Sequence, residues 1–504
     1  MLSSVHRLMQ SRWVHTSWVQ QLFVFAICML VLLRTVAPSV YAYDSAEFPI
    51  GAARLGIIHA PGYPLYLLIA HIFTWLPFGD VAYRVNLLSA VCLALTAPVL
   101  FSALSDLTED RAASAFAALM LVWSYYVWVE GVRAETYSAQ LLTLALVLWW
   151  FALMYKGKLR DIRHCLIAGL LVGLAMAMHP GSVFLAPGIA AAFLVMKIPF
   201  KRAVVAGLFS VMLFAVIQLY FPIRYLSAPA INIAGQYDGS GVFVPVDLTK
   251  LEGIIWMLRA AQFKQYFALV PSLTNVVTTL QWYVANFLGV GILLGLFGLW
   301  ILWQEVRGLF YVWLISFVPI TYFFTAYTVV DRDSMFGPSY LVWTVALAFG
   351  AKGFLTRVPG NVKATSVIVL LLVALIINFP LVNVSQDRSI RDHAQVIIAA
   401  LPPNAIVFGR WFDIVPLQYL QIVEGQRSDL TLLNLFLFQD HDLATYLQKL
   451  SHISQPVLVV GEALPIVPNN LFTVIPFRLD LPSFDGMGIQ NSIAGYKLLP
   501  INSG

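Results

Sequence analysis

The amino-acid sequence predicts a mostly α-helical, polytopic membrane protein that carries a small α/β domain at its C-terminal end. Three observations lead there. Of the 504 residues, 60% are hydrophobic and only 11% charged, against about 25% charged in an ordinary soluble domain. The apolar residues gather into long runs, and a helix needs about 20 of them to cross a bilayer core. Beyond Ser385 the pattern changes to short β-rich runs (AIVFG, LTLLNL, PVLVV, LFTVIPF) alternating with helical stretches at Ile390–Ala400, Trp411–Glu424 and Leu443–Leu450. Such alternation suggests a small domain with a largely parallel sheet.

Candidate spans lie near 18–39, 81–104, 111–129, 137–154, 165–178, 182–196, 203–222, 277–302, 309–327, 338–354 and 365–384, about eleven in all. His6, Arg7 and Arg12 followed by an apolar run to Val40-Tyr41-Ala42 imitate a cleavable signal peptide. Arg34 interrupts that run and further spans follow, so the segment is expected to stay as a span. The piece from Pro64 to Pro77 is apolar but short, and reads as a helix lying at the interface with Tyr66 and Trp75 at headgroup depth. Two units follow: a membrane part, 1–384, with a first outer loop at 41–80 and a long one at 223–276, and the α/β domain, 385–504.

Lysine and arginine set the orientation. Lys156, Lys158, Arg160, Arg163, Lys197, Lys201, Arg202, Arg307, Lys352, Arg357 and Lys363 fall on one set of short loops, with Arg7 and Arg12 on the same side. That side is cytoplasmic, and an odd number of spans places the C-terminal domain outside. The compact cytoplasmic loops suit a bacterial inner membrane. The net charge of +5 reflects these loops and implies no nucleic-acid partner. Cys28, Cys92 and Cys165 all lie in apolar runs, which suggests neither disulfides nor a thiolate metal site.

The remaining charges converge on the outer side. The first outer loop, YAYDSAEFPIGAARLGIIHAPGYPLY, sets Asp44 and Glu47 a few residues outside the membrane and follows them with His59. Acids this close to hydrocarbon are costly unless used or solvated. Asp44-x-x-Glu47 has capping-box spacing, but that register would place Pro49 inside the helix; Pro49 fits the first turn, leaving both acids in the preceding loop. A carboxylate at an apolar boundary has its pKa raised toward that of a useful general base, which makes Asp44 the catalytic candidate. His59-Ala-Pro-Gly-Tyr63-Pro is a rigid turn whose His59 and Tyr63 are candidate ligand contacts. Arg133 and Glu135 in VRAETY, and His179 before Pro180, end spans on the same side. Arg224 opens the long loop, and Asp331 and Arg332 sit in another. Guanidinium groups here suit a phosphate, with membrane lipid headgroups as the ordinary alternative.

Taken together, DSAEF, LGIIHAPGYPLY, LPFGDVAYRVNLLSA, RAETYS and GLAMAMHPG resemble the GT-C glycosyltransferases, and more closely the family called domain of unknown function 2723, whose animal members are transmembrane O-mannosyltransferases. The strong part covers roughly residues 40–190; FPIRYLSAPAIN, VVDRDSMFGPSY and LPPNAIVFGRWFD are weaker echoes. Ala60 stands where the family usually has proline, and RAETYS lacks the usual valine between Glu135 and Tyr137. Both departures bear on specificity more than on activity.

The resemblance implies an inverting transfer outside the cytoplasm, from a polyprenyl-phosphate-linked sugar donor to a hydroxyl acceptor on protein, lipid or glycan. It assigns the base to Asp44, with Glu47 beside it. Arg84, Arg224 or Arg332 would then stabilise the departing phosphate. A divalent metal bridging acids and phosphate is compatible with this, but no residue pattern demands one. The chief alternative is a transporter or lipid-intermediate flippase, which would carry its polar groups near the membrane midplane.

Overall fold

The computed structural model describes residues 18–157, 159–461, 471–482 and 489–501. Among the described residues, six helices are long and apolar enough to cross a membrane: Val81–Thr108, Tyr137–Lys156, Phe200–Leu226, Arg307–Ala326, Arg332–Leu355 and Val362–Val382. The chain is a multi-pass membrane protein. Val81–Thr108 is apolar nearly all round and buried along most of its length, as expected of a helix enclosed on every side. Trp18–Leu33, Arg111–Val122 and Tyr137–Lys156 pack around it. Phe200–Gln218 and Gly360–Val382 instead turn leucine, valine and isoleucine outward, Leu208 and Ile376 among them. These are lipid-facing surfaces.

The span pattern departs from eleven uniform crossings. Leu273–Asn286 and Val290–Glu305 are bent by 98°, because Leu288 and Gly289 both adopt positive φ between them. Arg111–Val122 and Tyr125–Gly131 are bent by 63° at Trp123-Ser124. Ile162–Met178 and Pro180–Val195 are shorter apolar helices; the 17 residues of the first rise about 26 Å, less than the roughly 30 Å core. Trp18–Leu33 begins where the described residues begin. At the end of Val81–Thr108 remote from the first outer loop, basic residues meet one another's elements. Lys352 donates to the Thr108 carbonyl (2.6 Å), Lys156 pairs with Glu109, and Arg202 donates to the Arg160 carbonyl.

The long loop has structure of its own. It holds the antiparallel pair β1 (Gly235–Tyr237) and β2 (Phe243–Pro245), the helix Leu251–Leu258 and a 3-10 turn, Ala261–Tyr266. The C-terminal sheet contains β3 (Ile406–Gly409), β4 (Thr431–Asn434), β5 (Val457–Val460), β6 (Phe472–Pro482) and β7 (Ile489–Pro500), in the order β4-β3-β5-β7-β6. β3 runs parallel to β4 and β5, whereas β7 is antiparallel to β5 and β6. The sheet is therefore mixed rather than largely parallel, because IQNSIAGYKLLP, with its Gly and Ser, forms a strand that its composition does not advertise. Helices Ser389–Ala400, Trp411–Ile422 and Asp440–Leu450 accompany the strands.

This domain docks on the loop that carries the acids. Ile414, Leu417 and Leu420 share a buried cluster with Val40, Ala46, Ile50 and Ala82. Arg54 donates twice to the Ile422 carbonyl (3.1 and 2.6 Å), and the Ala82 amide donates to the Tyr419 hydroxyl. Arg391 bridges Glu424 (2.6 and 3.0 Å) and Asp80 (3.3 Å). The domain and the acid loop thus occupy the same side.

Close backbone approach between Val290–Glu305 and Gly337–Leu355 depends on glycine. A Cβ on Gly350 would lie 1.7 Å from the Leu294 carbonyl oxygen, and one on Gly298 would lie 1.8 Å from that of Ala346. Small residues at such crossings let membrane helices pack tightly. Gly350→Ala is expected to destabilise the bundle by about 1–3 kcal/mol, read as a lower thermal midpoint in detergent. An unchanged midpoint would remove this crossing as a stabilising contact.

Candidate active site

The acid loop folds by local rules. Tyr43–Ala46 is a 3-10 turn and Glu47–Arg54 an α-helix with Pro49 in its first turn, where proline's missing N–H costs nothing. Asp44 precedes this helix as expected, whereas Glu47 is its first residue rather than part of the loop. The chain then turns back through Gly62 at φ +83°, a conformation that glycine alone adopts freely. A Cβ there would also meet Phe221 and Met257 within 2.8 Å. Pro64 opens the next helix, Pro64–Phe73, and the returning turn lays His59 against both acids.

Glu47 is fully buried and both its oxygens engage His59. The His59 amide donates to Oε1 at 2.7 Å, and Nδ1 lies 2.7 Å from Oε2. His59 Nε2 is 3.6 Å from Asp44 Oδ2, and the Trp411 indole N–H donates to Asp44 Oδ1 at 3.0 Å. Burial disfavours the imidazolium, but the Glu47 and Asp44 carboxylates outweigh it and push His59 up to about 9. Burial raises the Asp44 carboxyl above the usual range; His59 draws it down and Glu47 raises it further. An unprotonated Asp44 at neutral pH is a stronger base than a solvated aspartate.

Above these groups lies a cavity of about 1110 Å3 between the membrane part and the C-terminal domain. Asp44, His59, Tyr63, Glu135, His179 and Asp331 all line it. Tyr63 and Tyr137 flank His179, each with ring centroids 5.5 Å away. His179 Nδ1 accepts from the Gly181 amide, so it caps its turn as well as facing the cavity. Burial, with His59 nearby, lowers its pKa to about 4, leaving it neutral. Burial and Asp44 push Asp331 up to about 6.

The guanidinium groups lie elsewhere. Arg84 donates to the carbonyls of Thr74, Phe78 and Gly79, and Arg224 to those of Arg54 and Leu55. Arg332 donates to Thr325 and Tyr327 and stacks on Trp282 at 4.7 Å. Arg133 is buried, paired with Glu130 at 2.7 Å and donating to Ser334. Each tethers a segment, and none lines the cavity. Its lysine and arginine are instead Arg259, just after the Leu251–Leu258 helix, and Lys264, on the Ala261–Tyr266 turn of the long loop. Neither side chain has a hydrogen-bond or ion-pair partner among the described residues. Sequence reasoning passed over both, although LRAAQFK places them on an exposed amphipathic element. It also passed over Trp411, Phe263 and Phe436, which line the cavity as well.

Asp44, Glu47 and His59 offer donor atoms within 4.8 Å of one another. His59 Nδ1 is committed to Glu47, which leaves His59 Nε2, the Asp44 carboxylate and the remaining Glu47 lone pairs as the atoms that could reach an ion.

The fold resembles that of solved GT-C glycosyltransferases. ArnT from Cupriavidus metallidurans, solved bound to undecaprenyl phosphate, superposes with a TM-score of 0.59 over 97% of this chain and 99% of its own, at 13% identity. The mycobacterial arabinofuranosyltransferase AftD gives 0.52 over 97% of this chain and 40% of its own, at 14% identity. Residues 44–202 match the family model described as the Protein O-mannosyl-transferase TMEM260 N-terminal domain. The mouse Protein O-mannosyl-transferase TMEM260 is 37% identical over 126 residues, 25% of this chain and 18% of its own, and the Dictyostelium discoideum protein 22% identical over 129 residues. The matched stretch thus spans less than a fifth of either relative.

A histidine whose pKa rises on folding contributes stability that is complete below 6.5 and lost as pH climbs through about 9, at most about 1.4 kcal/mol per pH unit. Thermal midpoints in detergent are therefore expected to fall across that range. Glu47→Gln, which removes the first carboxylate holding the imidazolium, should flatten the fall. Identical slopes in both proteins would detach His59 from Glu47.

Proposed function

We propose that the chain is an inverting membrane glycosyltransferase that moves a sugar from a polyprenyl-phosphate carrier to a hydroxyl acceptor. The reading is carried by one observation. A single cavity is lined by Asp44, Glu135, Asp331, His59 and His179 and by two cations, Arg259 and Lys264, that have no partner among the described residues. The ArnT likeness, with its bound undecaprenyl phosphate, supports the carrier class. The TMEM260 relatives support mannose as sugar and protein serine or threonine as acceptor.

In this reading Arg259 and Lys264 hold the carrier phosphate and stabilise the charge it gains on leaving. Asp44 Oδ2 takes the proton of the acceptor hydroxyl as its oxygen attacks the anomeric carbon from the face opposite the departing phosphate. The new C–O bond forms as the sugar–phosphate bond breaks, so the configuration inverts. The nearby carboxylates suit the positive charge that develops on the sugar. No step is assigned to a divalent ion. We place the cavity and the C-terminal domain outside the cytoplasm and the N-terminus inside, on the basic residues gathered at the opposite end, in a bacterial inner membrane given the compact loops there. Buried charges other than Asp106 cluster at the cavity end rather than at the midplane, which favours transfer over transport.

The test uses the full chain in nanodiscs with a panel of polyprenyl-phosphate sugars and a serine/threonine peptide, with and without EDTA. Native protein is expected to turn over one donor, without metal, and Asp44→Asn to lose at least about 100-fold while remaining folded. Full activity in Asp44→Asn would remove it as the base. Loss in EDTA restored by Mn2+ would place an ion in the reaction.

A further inference from the structure

The C-terminal domain meets the acid loop with a particular edge. β3 is the strand from which the parallel half of the sheet grows in both directions, to β4 on one side and β5 on the other. In open α/β sheets, ligands bind at the carboxyl ends of strands where the order reverses in this way. Trp411 follows the carboxyl end of β3 and Phe436 that of β4, and both line the cavity. The indole of Trp411 is edge-on to His59 (ring centroids 5.8 Å) and to Phe436 (5.4 Å). Its N–H reaches Asp44 Oδ1 at 3.0 Å across 367 positions of sequence.

We infer that Trp411 is a positioning residue for Asp44, and that the C-terminal domain completes the active site rather than covering it. The inference rests on the transferase reading for its kinetic consequence. Asp44 has two oxygens with separate surroundings. Oδ1 is held by the indole, which leaves Oδ2 turned toward His59 and the cavity. Its backbone lies in a single 3-10 turn, and among the described residues the Trp411 bond is the one side-chain hydrogen bond it receives across the domain boundary. Without it the carboxylate keeps only the longer contact of Oδ2 with His59 Nε2 at 3.6 Å, and the oxygen presented to an acceptor is less firmly fixed. Misplacing a catalytic group lowers turnover without weakening the binding of distant parts of the substrate.

The discriminating variant is Trp411→Phe, which keeps an aromatic ring against His59 and Phe436 and removes only the N–H. The expected result is a kcat lower by about tenfold, with donor KM within about twofold and the thermal midpoint unchanged. Trp411→Ala, which also empties the aromatic contact, should lower both kcat and thermal midpoint. Native kcat in Trp411→Phe would overturn the inference, and so would a parallel rise in KM and fall in midpoint, the mark of a merely structural role. A second measurement does not need turnover. In a cryo-EM structure of Trp411→Phe in nanodiscs, the Asp44 carboxylate is expected to rotate away from the native position, and an unmoved carboxylate overturns the inference. Native protein inactive with every donor would instead remove the transferase reading, leaving the structural comparison to decide the role of Trp411.

Discussion

Holding two carboxylates and an imidazole together at a membrane edge is the constraint that shapes this protein. Buried charge is stable only when paired and hydrogen-bonded, and Glu47 is satisfied by His59 alone, through both backbone and ring. That pairing requires the chain to double back between residues 47 and 59. Within that stretch the Glu47–Arg54 helix ends on Leu55 at φ 48°, and Gly56 passes so close to Ile231 that a Cβ there would lie 2.2 Å from its side chain. The arginines complete the scaffold. Arg224 ties the long loop to the end of the Glu47–Arg54 helix, and Arg84 ties the loop at 74–79 to the central helix.

Much of this was legible in the sequence, for physical reasons. Apolar runs of membrane length and the clustering of lysine and arginine at one end are properties of composition along the chain, and they locate the helices directly. The β-rich runs after Ser385 likewise mark four of the five strands. Asp44, His59, Tyr63, Glu135, His179 and Asp331 line one cavity, as their common placement in loops or at span ends on one side of the chain anticipates. The bend at Leu288-Gly289 was not legible, because the residues around it are as apolar as those on either side.

The destinations of the arginines were not legible either. A guanidinium near a membrane boundary satisfies a phosphate and a loop carbonyl equally well, and only the folded loops show that carbonyls of Thr74, Leu55 and Thr325 are within reach. Arg259 and Lys264 show the converse. Nothing in their local sequence distinguishes them from other exposed cations, yet the fold brings both to the cavity that Asp44 and Asp331 line. Trp411 lies too far along the chain for any spacing rule, and its echo in LPPNAIVFGRWFD carried no stated role.

The most direct test of the account is the position of a bound donor. A cryo-EM structure of the full chain in nanodiscs with a polyprenyl-phosphate sugar is expected to place the phosphate between Arg259 and Lys264 and the anomeric carbon on the Asp44 side of the cavity. A phosphate held by Arg84 or Arg332, or a sugar remote from Asp44, would contradict it.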